Sequence, residues 1–185
     1  MAKQKGLLTK TTTIDNYEAL LGSGARVNKF MVEFQLPSFL TGIANIEPEL
    51  EIMFRSFQMP GPRTIEPISV IYSGDVFKVA GDKSEEQPVT GEFQNTEDLR
   101  HRNVFELWMN TIQEDNTGLR TAPETYKGSA LISQIDRQGK VTWKKRLLGL
   151  FPTEIPPIDF NRESSTEISI TSVTFSIDRQ EPVQL

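Results

Sequence analysis

His101 is the single imidazole in the chain, so any Ser-His-Asp hydrolase chemistry would have to pass its proton through this ring. The chain has no Gly-x-Ser-x-Gly elbow for it to serve. His101 stands three and four residues before Val104 and Phe105, which reads as a partly buried packing histidine. Glu85-Glu86 could act as paired carboxylates in acid–base work, but the pair follows Gly81-Asp82-Lys83 on a turn and reads as loop solvation. Asp136 and Asp178 fall near strand ends and read as surface groups. Gly22-Ser23-Gly24 starts like a dinucleotide fingerprint; Val27 occupies the third glycine position and no strand–helix pair surrounds it, which leaves a flexible joint. Lys144-Lys145-Arg146 lies beside Trp143, a pairing that could stack on a nucleic-acid base. On a strand these cations alternate between faces, and the net charge of −5 disfavours a basic nucleic-acid surface. No P-loop or EF-hand pattern occurs. With no cysteine, thiol nucleophiles, disulfides, cysteine-bound zinc and iron–sulfur clusters are excluded. The expectation is a protein with no catalytic residues, no metal and no cofactor.

The elements that would position these groups read mainly as β-structure. At 185 residues the chain suits one domain that buries its own core. No apolar run approaches the roughly 20 residues of a bilayer span, and no apolar stretch follows the charged N-terminal residues. A soluble, intracellular protein is the expectation. Residues 1–26 read as an arm carrying the apolar patch Tyr17, Leu20 and Leu21. From Arg26 the pattern has period two. Phe30, Val32, Phe34 and Leu36 form a half-buried strand ended by Pro37. Residues 37–49 read as a loop, and Leu50, Ile52 and Phe54 as the start of a second strand. Ile68, Val70 and Tyr72, the turn Ser73-Gly74-Asp75, then Phe77 and Val79 read as a tight hairpin. Val89, Gly91 and Phe93 add a strand.

One helix stands out. Thr96 can cap it, and Val104, Phe105, Trp108, Met109 and Ile112 form one apolar stripe to lay across a sheet. Segments 126–137 and 141–151 read as a second long hairpin, with Val141, Trp143, Leu147 and Phe151 on one face. The last strand, 167–178, changes apolar phase between Ile170 and Val173, which implies a bulge or bend near Thr171-Ser172. The total is about seven strands and one good helix: a β-sandwich or partly closed barrel with one flanking helix.

Several strings, in order, carry a resemblance. They are Arg26-Val27-Asn28-Lys29-Phe30, Phe57-Gln58-Met59-Pro60-Gly61, Val79-Ala80-Gly81-Asp82-Lys83, the Trp108 helix and Tyr126-Lys127-Gly128-Ser129-Ala130. The set closes with 148–155, then Glu167-Ile168 leading to 173–178. No single string is specific; their order and spacing are. Over about residues 26–180 the chain resembles the tail tube proteins of contractile-tailed bacteriophages, whose fold is shared with tubes of contractile injection systems and type VI secretion.

The resemblance implies a single tube-type domain over 27–180 with an inserted loop at 37–49, after the 1–26 arm and before a short tail at 181–185. It implies hexameric rings stacked into a tube, within a virion tail and, during assembly, in the host cytoplasm. The implied partners are further copies of the chain, the tail sheath, the baseplate, the tail terminator, and a tape measure protein in the lumen. DNA would pass through without specific binding. Six copies at −5 each would carry about −30, which would repel phosphate rather than hold it. Glu33, Glu51, Glu92 and Glu167 are the candidate lumen carboxylates. Tyr17, Leu20, Leu21, Phe39, Ile43 and Ile46 are the candidate assembly residues. Phe30, Phe34, Phe105, Trp108, Trp143 and Phe175 are the candidate subunit core. Three alternatives stay open: a tube-initiator or baseplate paralogue, an injection-system tube, and a monomeric β-barrel binding module.

Overall fold

The structure is a computed structural model, and it describes residues 24–43, 46–114, 116–158 and 168–184. Among these the chain forms nine strands and four helices. The strands are β1 (Phe30–Gln35), β2 (Phe54–Phe57), β3 (Ile65–Tyr72), β4 (Asp75–Lys83), β5 (Val89–Gln94), β6 (Gly128–Ile135), β7 (Val141–Glu154), β8 (Ile170–Ser176) and β9 (Arg179–Val183). The helices are α1 (Ser38–Thr41), α2 (Ile46–Met53), α3 (Arg100–Ile112) and α4 (Pro123–Tyr126).

Seven strands form one antiparallel sheet: six lie on the path β1-β6-β7-β8-β5-β2, and β9 adds to β7. The long strand β7 belongs to two sheets. Its first part pairs with β6 as far as Leu150 and with β9 as far as Leu148, whereas Phe151–Glu154 pair with β8. The sheet therefore folds over on itself, with β1-β6-β7-β9 on one side and β7-β8-β5-β2 on the other. The end strands β1 and β2 meet through rings, not through a hydrogen-bonded ladder: Phe54 lies 6.0 Å from Phe30 and 5.9 Å from Phe34. The result is a mainly β, open roll. β3 and β4 form a separate two-stranded hairpin.

The core lies between the two sheet halves and under α3. Val89, Phe93, Val173 and Phe175 are fully buried from the alternate positions of β5 and β8, and each large side chain there contributes roughly 1.5–3 kcal/mol by leaving water. The helix brings His101, Val104, Phe105 and Trp108 onto this floor, an i, i+3, i+4, i+7 stripe. Phe105 stands 4.8 Å from Phe93 and 5.8 Å from Phe175, and Trp108 stands 6.5 Å from Phe175. Of the expected core residues, Phe34, Phe105, Trp108 and Phe175 are buried, while Phe30 and Trp143 are partly buried at its margin.

Four local expectations need correction. Residues 37–49 are not a surface loop. They contain α1 and the start of α2, and Leu40, Ile46 and Leu50 fill the core. Pro48 is tolerated because it lies in the first turn, where its missing N–H has no helical partner. Leu50-Ile52-Phe54 does not start a strand, since Ile46 and Leu50 pack at i, i+4 and Ile52 is 76% exposed on the far side. Thr96 does not cap α3. The helix begins at Arg100, after Leu99 in a left-handed conformation (φ 52°), and the Asp98 carboxylate accepts the Arg100 amide at 3.2 Å. The phase change near Thr171 is not a bulge. β8 pairs with β5 without a register shift, its odd residues Thr171, Val173 and Phe175 facing inward throughout, and Ile168 is left exposed before the strand.

Candidate assembly surfaces

The hairpin β3–β4 turns through Ser73 and Gly74, both at positive φ (53° and 91°), the twist-matching geometry of a two-residue loop. Cross-strand register places Ile68, Val70 and Tyr72 on one face with Phe77 and Val79. Ile71, Val76 and Ala80 share the other face. Residues 71–80 are all exposed, with Ile71 at 75%, Tyr72 at 77% and Phe77 at 53%. A hairpin that is apolar on both faces leaves an unusually large area wet for a lone soluble chain. It is tied at its base. Arg63 Nε donates to Glu86 at 2.9 Å and its guanidinium also donates to the Asp178 carbonyl, while Gln180 Nε2 donates to the Gly61 carbonyl and to Glu86.

The sheet half β1-β6-β7-β9 has β1 and β9 as its two edges. Unpaired edges invite addition of another strand. Beside β9, a cavity of about 380 Å³ is lined by Arg63, Lys83, Lys145 and Arg179 together with Glu86 and Gln180. At the other edge α2 lies against β1. Glu47 accepts the amide of Leu36 at 3.0 Å, and Glu51 lines a hollow with Phe30, Met31 and Arg55. Burial raises the Glu51 pKa, and the neighbouring carboxylates Glu33 and Glu47 raise it further.

The expected site residues scatter over these features. Glu33 lies on the outer face of β1, where register aligns it with Leu131, Arg146 and Glu181. Glu92 is on the other sheet half and accepts the Ser56 hydroxyl at 2.6 Å. These two carboxylates do not share a face with each other, and Glu167 lies outside the described residues. Tyr17, Leu20 and Leu21 also lie outside them. Ile46 is 1% exposed and committed to the core, whereas Phe39 and Ile43 are half-buried, packed against the core with part of each side chain still at the surface. For Ile46 the reason is the same as for Leu50: α2 turns both side chains inward. Sequence reasoning found the hairpin but not its exposure. The available signal was apolar residues in both strand phases, Ile71 beside Val70 and Val76 beside Phe77. It missed β9 entirely.

The histidine is a core residue. His101 is 1% exposed, its ring nitrogens have no hydrogen-bond partner among the described residues, and Nε2 stands 3.8 Å from Glu49. Burial pushes its pKa below the ordinary 6.5, opposed by the Glu49 and Asp98 carboxylates and reinforced by Arg100. The folded chain therefore binds this proton less well than the unfolded chain. The stability owed to the neutral ring is complete above about pH 6.5 and is lost as pH falls through the lower folded-state value. Urea midpoints of the wild type should drop between pH 7 and 5 more steeply than those of His101→Leu; parallel curves would refute this assignment.

No protein-family model matches the chain. Among curated proteins, the tail tube protein gp19 of Enterobacteria phage T4 is 26% identical over 160 residues, 85% of this chain and 91% of that protein. Among solved structures, the terminating cap of the anti-feeding prophage tube aligns with a TM-score of 0.58 at 21% identity, covering 87% of this chain and 91% of the other. A chain from the extended sheath-tube complex of PVC, an extracellular contractile injection system, aligns with a TM-score of 0.55 at 20% identity, covering 93% and 100%. The fold is therefore the one found in contractile-tail and injection-system assemblies. The chain is thus similar in sequence to a contractile tail tube protein and shares its fold with chains of contractile injection systems.

Proposed function

We propose that this chain is the repeating subunit of a contractile tail tube. Six copies form a ring, rings stack, and the lumen conducts DNA during ejection. The observation that carries the reading is the β3–β4 hairpin, apolar on both faces and standing clear of the subunit's own core. Such a surface fits a neighbour of the same kind. A heterologous contact that closes makes a ring, and stacking makes an open filament. The edges β1 and β9 suit the same assembly, since strands added at both ends would join neighbouring sheets into a wall. In that wall the outer face of β1-β6-β7-β9 would look into the lumen. It carries Glu33 and Glu181 beside Lys144, Arg146 and Arg179, a mixed charge that would give a phosphate backbone no continuous basic track. Sheath, baseplate and terminator would contact the remaining surfaces.

Negative-stain microscopy of the purified protein, with and without a tail tip as nucleus, is the test. Long hollow polymers are expected, and persistent single subunits under every condition would count decisively against the reading. Copy number per particle separates a repeating subunit from a tube initiator. Ile71→Glu combined with Phe77→Glu should leave the circular dichroism melting temperature within a few degrees of wild type and abolish polymers. Polymers of normal length from this variant would remove the hairpin from the contact.

A further inference from the structure

The two edges of the β1-β6-β7-β9 sheet half carry opposite charge that the subunit does not neutralise by itself. At the β9 edge, Arg63, Lys83, Lys145 and Arg179 surround one cavity. Glu86, whose side chain is 5% exposed, is taken up by Arg63 at 2.9 Å, and Arg179 pairs with Glu181 at 3.0 Å. Lys83 and Lys145 form no ion pair among the described residues; Lys145 Nζ only stands 5.9 Å from the Trp143 ring. At the β1 edge, neither Glu33 nor Glu51 forms an ion pair among the described residues. Arg55 borders the same hollow; burial raises the Glu51 pKa, and the neighbouring carboxylates Glu33 and Glu47 raise it further.

The two clusters cannot serve each other within one subunit. Three inter-strand spacings separate the edges, about 14 Å at the usual ~4.8 Å per strand. That exceeds an ion-pair distance by several-fold and the screening length at physiological salt as well.

We propose that the basic cluster at the β9 edge receives the β1-edge carboxylates of a second copy of this chain, Glu51 facing the cavity of Lys83 and Lys145 and Glu33 meeting Arg179 on the outer face. This rests on the tube-subunit reading and adds to it the direction and the residues of one contact. Like edges repel: β9 facing β9 would bring cation against cation, and β1 facing β1 would bring carboxylate against carboxylate. Only head-to-tail pairing is complementary, and a two-fold dimer that would block ring growth is disfavoured by the same charges. The hairpin supports this choice of neighbour, because its base lies in the same cavity through Arg63 and Lys83. One side of the subunit then offers hairpin and cations together, and the other offers α2 and the carboxylates.

The test is a charge exchange. Lys83→Glu with Lys145→Glu makes both edges acidic; Glu33→Lys with Glu51→Lys makes both edges basic. Each variant, shown folded by circular dichroism, should remain unassembled alone at concentrations at least tenfold above the wild-type threshold. Mixed one to one, they should form polymers containing both chains. If Glu51→Lys, which is partly buried, lowers the melting temperature, Glu33→Lys with Glu51→Gln takes its place in the mixture. Polymers from either folded variant alone at the wild-type threshold overturn the contact and leave the tube reading standing. Folded variants that fail to assemble when mixed also overturn it. A wild-type chain that never polymerises overturns the tube reading and this contact with it.

Discussion

Replacing Trp108 with alanine should leave most of the chain unfolded, rather than folded and unable to assemble. The indole is fully buried, 6.5 Å from the Phe175 ring, and its edge fits closely over Gly128. Its Nε1 donates to the Tyr126 carbonyl at 2.7 Å, which ties α3 to α4 just before β6 begins. Truncation to alanine removes the packing, at about 3–5 kcal/mol for a buried Trp. It also orphans the carbonyl, at about 1–3 kcal/mol if no water reaches it. Domain stabilities are about 5–15 kcal/mol, so the two losses consume much of the total. Urea unfolding followed by circular dichroism checks this, and Trp108→Phe should fall in between. A Trp108→Ala subunit with wild-type stability that fails only to polymerise would move this side chain from the core to an interface.

Trp108 was legible in the sequence because its helix has an unmixed signal. Val104, Phe105 and Trp108 repeat at helical spacing, and no strand pattern competes. The same holds for Phe34, Val89, Phe93 and Phe175, whose alternation has only one reading. Segment 46–54 shows the opposite case. Leu50, Ile52 and Phe54 alternate as a strand would, while Ile46 and Leu50 are spaced as a helix would space them. The tie is broken by tertiary packing: a helix buries Ile46 and Leu50 together, and the strand starts only at Phe54, where β5 supplies a partner. Strand β9 left no signal at all. Arg179-Gln180-Glu181-Pro182 has no apolar alternation, because an edge strand can be held by its ladder to β7 and needs no buried face. The assembly surfaces were legible only in part. Lys145 and the hairpin residues could be named from the sequence, but the cavity that gathers Arg63, Lys83, Lys145 and Arg179 joins residues up to 116 positions apart, a closeness that only the fold creates.

Gly149 should tolerate no side chain, although nothing in its immediate sequence marks it out. It lies in β7 between Leu148, the last residue paired with β9, and Phe151, the first paired with β8. The strand passes from one sheet half to the other here, and the backbone takes φ 68° to make the bend. A left-handed conformation costs an L-residue with a Cβ roughly 1–2 kcal/mol. A Cβ on Gly149 would also run into the Asp178 carboxylate and come within 2.8 Å of its Cβ. Asp178 cannot swing away freely, because Lys127 Nζ holds both its oxygens at 2.7 and 2.8 Å and its own amide donates to the Leu148 carbonyl at 2.9 Å. Overpacking of this kind costs about 1–3 kcal/mol, so Gly149→Ala should lose about 2–5 kcal/mol in all. The two causes can be separated. Adding Asp178→Gly removes the collision but not the strained φ, so the double variant should recover only part of the loss. Chemical denaturation of the wild type, both single variants and the double variant measures each component. A Gly149→Ala chain within about 0.5 kcal/mol of wild type, the range of an ordinary surface change, would mean that the bend does not depend on this residue.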